Sequence, residues 1–268
     1  MGDGEDVAIC LHGFPEHAYS WRHQMPLLAR LGFRVWAPNL RGYGGTDSPP
    51  GASAYRLELL LDDLHALVRA AGGRRTLLIA HDWGGLLAWL LASETPCVID
   101  DLIVVNMPHP ARFLRELRRA PQLLKSWYIF FFQLPALPEL VLRRGLTDLL
   151  TFVAASPPDL EGEVLELYRQ NALRRGGLTS MINWYRALPR TRALAAYRPG
   201  RTTPIVRART LLIWGDADIA FDNRVFEETE QFVETLSTWR VRGGSHCVHQ
   251  QMPQCVNTVI SEWLAKRG

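Results

Sequence analysis

Leu78-Ile-Ala-His-Asp-Trp-Gly-Gly85 decides how this 268-residue chain is read. Residues 76–80 (Thr-Leu-Leu-Ile-Ala) form a short apolar run that reads as a buried strand, and residues 84–93 carry apolar spacing of helical type. Asp82 stands between the two, with Ala80 two residues before it and Gly84 two residues after. Small, any, nucleophile, any, small is the spacing of a sharp strand-to-helix turn that presents a nucleophile; the turn is so tight that the flanking side chains must be small. Taken alone, the segment fits an aspartate capping a helix equally well.

The flanking sequence sets the segment in a larger pattern. Residues 7–11, 33–37 and 102–105 read as further buried strands, and residues 21–31 and 56–71 as helices between them. Strands alternating with helices imply crossover connections and a parallel sheet covered on both faces. From about 109 to 203 the sequence is helical, rich in arginine and punctuated by proline, without a convincing strand. Strand character returns at 210–214 and 237–241, and a last helix is expected over 253–266. The expected fold class is α/β: a mostly parallel sheet flanked by helices, with residues 1–107 and 206–268 as the core domain and 108–205 as a helical cap. Such an insertion leaves from the C-terminal ends of the strands, where open α/β sheets hold their ligands.

Those ends also carry the chemistry. Asp218 follows the strand at 210–214, and His246 follows the strand at 237–241. Nucleophile, acid, histidine is the chain order of triads built on such a turn. Each residue alone reads as a cap or loop residue; three in this order, each behind its own strand, point to one site. His249 competes with His246, and Asp216 with Asp218. His12, His81 and His109 read as scaffold hydrogen-bonders.

Composition narrows the function classes. A net charge of +3 argues against a nucleic-acid binder. Cysteines 10, 97, 247 and 255 form no C-x-x-C pair, so a reduced, cytoplasmic protein without a metal or cofactor is expected. The acidic start has no signal-like apolar segment, and the most apolar stretch, 127–142, is broken by Gln133, two prolines and Glu139; no membrane partner is expected. A monomer and a homodimer both fit.

Along nearly its whole length the chain resembles the epoxide hydrolase branch of the α/β-hydrolase superfamily. The resemblance lies in His12-Gly-Phe-Pro-Glu16, Ser20-Trp-Arg22, Arg41-Gly-Tyr-Gly-Gly-Thr-Asp-Ser-Pro49 and His81-Asp-Trp-Gly84, and in two cap segments around Trp127-Tyr128 and Asn183-Trp-Tyr-Arg186. It implies an α/β-hydrolase fold, with Asp82 as nucleophile and with Asp218 and His246 as acid and base. Tyr128 and Tyr185 become the cap tyrosines, and the spacing after Trp214-Gly215 favours Asp218 over Asp216. The backbone N–H groups of Phe14 and Trp83 are the expected oxyanion donors, with Pro15 fixing the turn at Phe14 through a cis bond. Phe14, Trp83, Phe132 and Trp184 are expected to line the substrate site. The chain departs from the family at Asn39, where aspartate is usual, and at its start. Only eleven residues precede His12, so two N-terminal strands are expected to be missing, leaving about six rather than eight and a less stable domain.

The residue types suit one reaction. A carboxylate attacking an acyl carbon gives a reactive anhydride, whereas displacement at a saturated carbon gives an ordinary ester. Opening an epoxide also requires a donor at the departing oxygen, and a tyrosine hydroxyl, with a reference pKa near 10, stays protonated to supply it. The expected function is hydrolysis of an apolar or aromatic epoxide to a vicinal diol, with water as second substrate. A haloalkane dehalogenase shares the aspartate and Trp83, but one group of them binds halide with an asparagine where this chain has Phe14. Fluoroacetate dehalogenases carry arginine at the position of Trp83. A non-catalytic ligand-binding protein of the same fold is the third reading.

Overall fold

In the computed structural model, which describes residues 1–154 and 162–266 and the side chains outside 146–154, six strands form one parallel sheet. They are β1 (Asp6–Leu11), β2 (Phe33–Trp36), β3 (Thr76–His81), β4 (Asp101–Val105), β5 (Arg209–Gly215) and β6 (Leu236–Val241), in the order β2-β1-β3-β4-β5-β6. Six strands is the number expected from the sequence. The chain start runs beside the β2 edge: the Met1 ammonium donates to Val35 O at 3.0 Å, and Val35 N donates to Met1 O at 2.7 Å.

Period-two alternation divides the core in two. Ala8, Cys10, Leu77, Ile79, Ile103 and Ile213 point to one face, where they meet Leu28 of α1 (Met25–Arg30) and Val256, Ile260 and Trp263 of α11 (Pro253–Ala265). Val7, Ile9, Leu78, Ala80, Leu102 and Leu212 point to the other, against α2 (Leu57–Ala71) and α3 (Asp82–Glu94). Because both faces are covered at the centre of the sheet, β1, β3, β4 and β5 are apolar along most of their length rather than alternating, whereas β6 at the edge is exposed at Thr238, Trp239 and Arg240. Helix α3 is buried from Asp82 to Ser93. Hydrophobic on all sides, it fits only between the sheet and the helices above.

One expected helix is shorter than its apolar pattern. In place of a helix over 21–31 there is a 3₁₀ turn at Ala18–Trp21 and then α1 from Met25. Pro26 has no N–H to donate to residue 22 and is tolerated only in a first turn, so the helix starts beside it.

After β4 the chain runs through α4 (Pro110–Glu116), α5 (Ala120–Lys125), α6 (Trp127–Phe131), α7 (Leu137–Ala154), α8 (Glu163–Leu173) and α9 (Gly177–Ala187), then returns to β5. As expected, this stretch contains no strand among the described residues. It stands over the C-terminal ends of β1 and β3. Between those strands the connection order reverses, β1 leading outward to β2 and β3 onward to β4. Ligand sites of open α/β sheets lie in such a crevice.

The β3–α3 turn depends on close backbone approach. A Cβ on Gly84 would fall 2.5 Å from Leu11 O and 2.7 Å from His12 O, both backbone atoms that cannot swing aside. Gly84→Val is therefore expected to destabilise the protein by roughly 2–3 kcal/mol through overpacking, seen as a fall of several degrees in thermal unfolding. An unchanged melting temperature would contradict this packing.

Candidate active site

Asp82 ends the rise of β3 and begins α3 with φ +47°. A non-glycine residue in the left-handed region costs on the order of 1–2 kcal/mol and is held there by its surroundings. The result is a buried carboxylate at the C-terminal end of the sheet, only 8% exposed. Its Oδ1 accepts the backbone N–H of Phe14 at 2.8 Å, from the turn after β1. The Phe14–Pro15 bond is cis, as expected. Gly13 lets this turn come close, since a Cβ there would lie 2.4 Å from that of Asp82. Trp83 N–H is in the first turn of α3, where no intrahelical acceptor exists. It makes no hydrogen bond to the Asp82 carboxylate among the described residues, so of the two expected donors only Phe14 is engaged here.

His246 faces Asp82 from the loop after β6. Its Nε2 is 3.7 Å from Asp82 Oδ2, and its Nδ1 is 2.9 Å from Asp218 Oδ2. Asp218 is fully engaged. Oδ1 accepts Ala220 N–H at 2.7 Å and Phe221 N–H at 3.0 Å, and Oδ2 also accepts the Asn106 side-chain amide at 2.6 Å. Both competitors lie elsewhere: Asp216 accepts Gly243 N–H at 2.6 Å, and His249 lies against Trp21 with ring centroids 4.5 Å apart.

Charge coupling sets the protonation of this group. Burial alone would disfavour the His246 imidazolium, but the carboxylates of Asp218 and Asp82 outweigh it and push its pKa up to about 10. For Asp82, burial is opposed by His246 and the Phe14 N–H, which hold its pKa below the ordinary carboxylate value. The resting pair is thus a carboxylate beside a charged imidazole.

A second buried layer supports the first. His81 Nδ1 lies 2.9 Å from Glu16 Oε2, and its Nε2 lies 2.9 Å from the backbone O of His246. The ring therefore bridges Glu16 and the His246 backbone. Glu16 further accepts Gly13 N–H at 3.1 Å and the side chain of Gln250. One carboxylate therefore joins the Phe14 turn, the residue before the nucleophile and the loop of the base. Glu16, His81 and Cys247 are close enough for metal ligands, but the bonds just described already engage Glu16 and His81. The expected scaffold role of His81 agrees with this geometry. Glu16 and Asn106 drew no role from the sequence, although each is a polar residue placed just after a buried strand.

The cap brings its tyrosines to the same place. Tyr128 on α6 and Tyr185 on α9 have ring centroids 5.8 Å apart, and Tyr185 lies 5.3 Å from Phe14 and 4.9 Å from Trp83. Burial, reinforced by the charge on Asp82, raises both phenol pKa values above 10, so both hydroxyls stay protonated. Asp82, Tyr128 and Tyr185 line two cavities. One, of about 300 Å³, extends past Trp83, Met107, Phe113 and Leu194; the other, of about 120 Å³, lies against Phe14, Phe132 and His246. Phe14, Trp83 and Phe132 thus line the site as expected. Trp184 does not. Neighbours on a helix point about 100° apart, so with Tyr185 toward Asp82, Trp184 turns to the 41–49 loop. Its indole N–H donates to Arg41 O at 3.0 Å, and it borders a separate cleft beside α2.

Known proteins resemble this chain in sequence and fold. The α/β-hydrolase fold family matches residues 7–251. The chain is 37% identical to the AB hydrolase superfamily protein YfhM of Bacillus subtilis, over 96% of this chain and 90% of that protein. It is 35% identical to epoxide hydrolase 3 of Xenopus tropicalis, over 96% of this chain and 71% of that protein. Among solved structures, an inhibitor complex of the Bacillus megaterium epoxide hydrolase superposes with a TM-score of 0.89 at 29% identity, covering 98% of this chain and 94% of that one.

Asp82→Asn removes one of the two charges that raise the His246 pKa and keeps the shape. Imidazole ¹⁵N shifts followed against pH are expected to show that pKa falling by about one unit or more. An unchanged value would mean that Asp218 alone sets it.

Proposed function

The chain belongs to the epoxide hydrolase branch of the α/β-hydrolase family, and we propose that it converts an apolar or aromatic epoxide to a vicinal diol through a covalent ester on Asp82. The observation that carries this reading is the pair of protonated tyrosines, Tyr128 and Tyr185, lining the same cavities as an ionised aspartate. Residues 1–107 and 206–268 act as the core and 108–205 as the cap that excludes water.

In the first half-reaction Asp82 Oδ2 attacks an epoxide carbon while Oδ1 stays on the Phe14 N–H. The carbon–oxygen bond breaks, and the departing oxygen takes a proton from Tyr128 or Tyr185 while the other hydroxyl donates a hydrogen bond. The product is an alkyl ester of Asp82. Forming it removes the Asp82 charge and, with it, one of the two influences that keep His246 protonated. Its pKa falls, the imidazolium returns a proton to the tyrosinate left by the ring opening, and the neutral imidazole can serve as base. Alkylation of the nucleophile therefore prepares the base for the next step.

In the second half-reaction His246 Nε2 takes a proton from water, whose oxygen attacks Cγ of Asp82. Asp218 holds the imidazole through Nδ1 and stabilises its charged form. Negative charge develops on Oδ1, where Phe14 N–H already sits and Trp83 N–H is free to join; losing one such donor typically costs about 3–4 kcal/mol of barrier. Collapse breaks the ester C–O bond: the departing diol oxygen takes the proton from His246, and the proton of the hydroxyl added to Cγ then passes to His246, which restores both the carboxylate and the imidazolium.

The halide reading fits less well. A departing halide needs N–H donors, and the Phe14 side chain has none. Turnover of styrene oxide and of a bromoalkane, measured side by side, separates the two: diol without halide release is expected. Tyr128→Phe/Tyr185→Phe is expected to lower kcat/KM for the epoxide by roughly 10²–10⁴-fold with the fold intact. Halide release without diol, or normal epoxide opening by the double variant, would sink the proposal.

A further inference from the structure

Three successive cap helices turn apolar side chains into solvent. Leu123 and Leu124 on α5, Trp127 and Phe130 on α6, Leu134, and Leu137, Leu140 and Val141 on α7 are between 44% and 73% exposed. They are eight of the fourteen large hydrophobics exposed among the described residues, crowded into nineteen positions, which marks a surface built for contact rather than scattered exposure. On α7 the spacing 137, 140, 141, 144 is one helix face, three apolar residues ending in Arg144. The opposite side is fixed inward by buried Leu142 and by Glu139, whose carboxylate is bound by Arg186 at 2.6 and 3.0 Å.

The charges around this face share one sign. Between Leu117 and Gly145 stand Arg118, Arg119, Lys125, Arg143 and Arg144 against one acid, Glu139, which Arg186 pairs; of the five cations Arg119 pairs with Glu116 at 3.2 Å and Lys125 donates to Asp218 O and Phe221 O. Arg118, Arg119, Arg143 and Arg144 are exposed. The face also adjoins the site: Phe130 borders the larger cavity beside Asp82 and Trp127 the smaller.

We propose that α5, α6 and α7 dock this face on an anionic lipid bilayer, the apolar side chains in the headgroup boundary and the arginines on lipid phosphates. Charge argues against a second copy of the chain, because a two-fold contact would bring these arginines against their own counterparts. No helix among the described residues is long and apolar enough to cross a membrane, so the cap lies on the bilayer rather than through it. This revises the expectation of no membrane contact, which considered spanning segments alone. On the epoxide hydrolase reading, an apolar epoxide dissolved in the bilayer then enters beside Phe130 and Trp127.

Flotation of the full chain with vesicles tests the docking and needs no epoxide turnover, so it stands apart from the reading of the active site. Phosphatidylcholine vesicles are compared with equal parts phosphatidylcholine and phosphatidylglycerol, at low and high salt. Binding to the mixed vesicles, weak binding to phosphatidylcholine alone and release by salt are expected. Each arginine near such a surface contributes about fivefold in affinity, so Arg143→Glu/Arg144→Glu should weaken binding by about twentyfold or more. Leu124→Ser/Leu140→Ser/Val141→Ser, remote from both cavities, should abolish it while leaving the circular-dichroism melt intact. Binding to neither vesicle, or equal binding to both, overturns the proposal. So does a dimer in sedimentation velocity that the triple serine variant dissociates, which assigns the face to a second copy.

Discussion

The backbone N–H of Phe14 donates to Oδ1 of Asp82 at 2.8 Å, and much of the structure exists to keep that bond. It joins two loops 68 residues apart in sequence. They meet because β1 and β3 are neighbours in register, with Leu11 opposite Ala80. Tight turns follow both strands, and glycine is required where they touch: Gly13 against the nucleophile and Gly84 against the carbonyls that end β1. On the proposed mechanism, a carboxylate held by one oxygen has the other free to attack, and the held oxygen becomes the oxyanion.

Around this bond the charges are arranged to be used in sequence. Asp218 receives four hydrogen bonds and remains an anion behind His246. Asp82 is the second anion facing the imidazole, and it is the one that the proposed ester would neutralise. Glu16 and His81 fix the backbone on either side, so the geometry of nucleophile and base is set by a polar layer that the substrate never touches. Buried networks of this kind are rigid when fully satisfied.

Much of this was legible in the sequence, for physical reasons. A parallel sheet covered on both faces gives apolar runs, and such runs mark β1, β3, β4 and β5, while the edge strands β2 and β6 are shorter or more polar segments. The nucleophile turn was legible because its sterics demand small residues at fixed spacing. Strand ends and chain order limit where a triad can fall, which is how the sequence points to Asp218 and His246, and their separation from Asp216 and His249 is a matter of which loop faces Asp82. Trp184 was misjudged because residues 183–186 show only that the segment is aromatic; the helical phase that turns Tyr185 inward and Trp184 toward Arg41 depends on how α9 packs. Glu16 was seen only as part of a motif, since its role needs three loops, at 13, 81 and 246, brought together by the fold. The apolar face of α5–α7 falls largely within the most apolar stretch of the sequence, 127–142, but a sequence does not reveal which side of a short helix has a partner.

The central claim is that a carboxylate oxygen of Asp82, not a water oxygen, makes the first new bond to carbon. A single turnover in H₂¹⁸O, with enzyme in excess over epoxide, tests it most directly. The account predicts an unlabelled diol from that first turnover, and ¹⁸O in the Asp82 peptide by mass spectrometry after many turnovers. Label in the diol on the first turnover, with none entering Asp82, would contradict it.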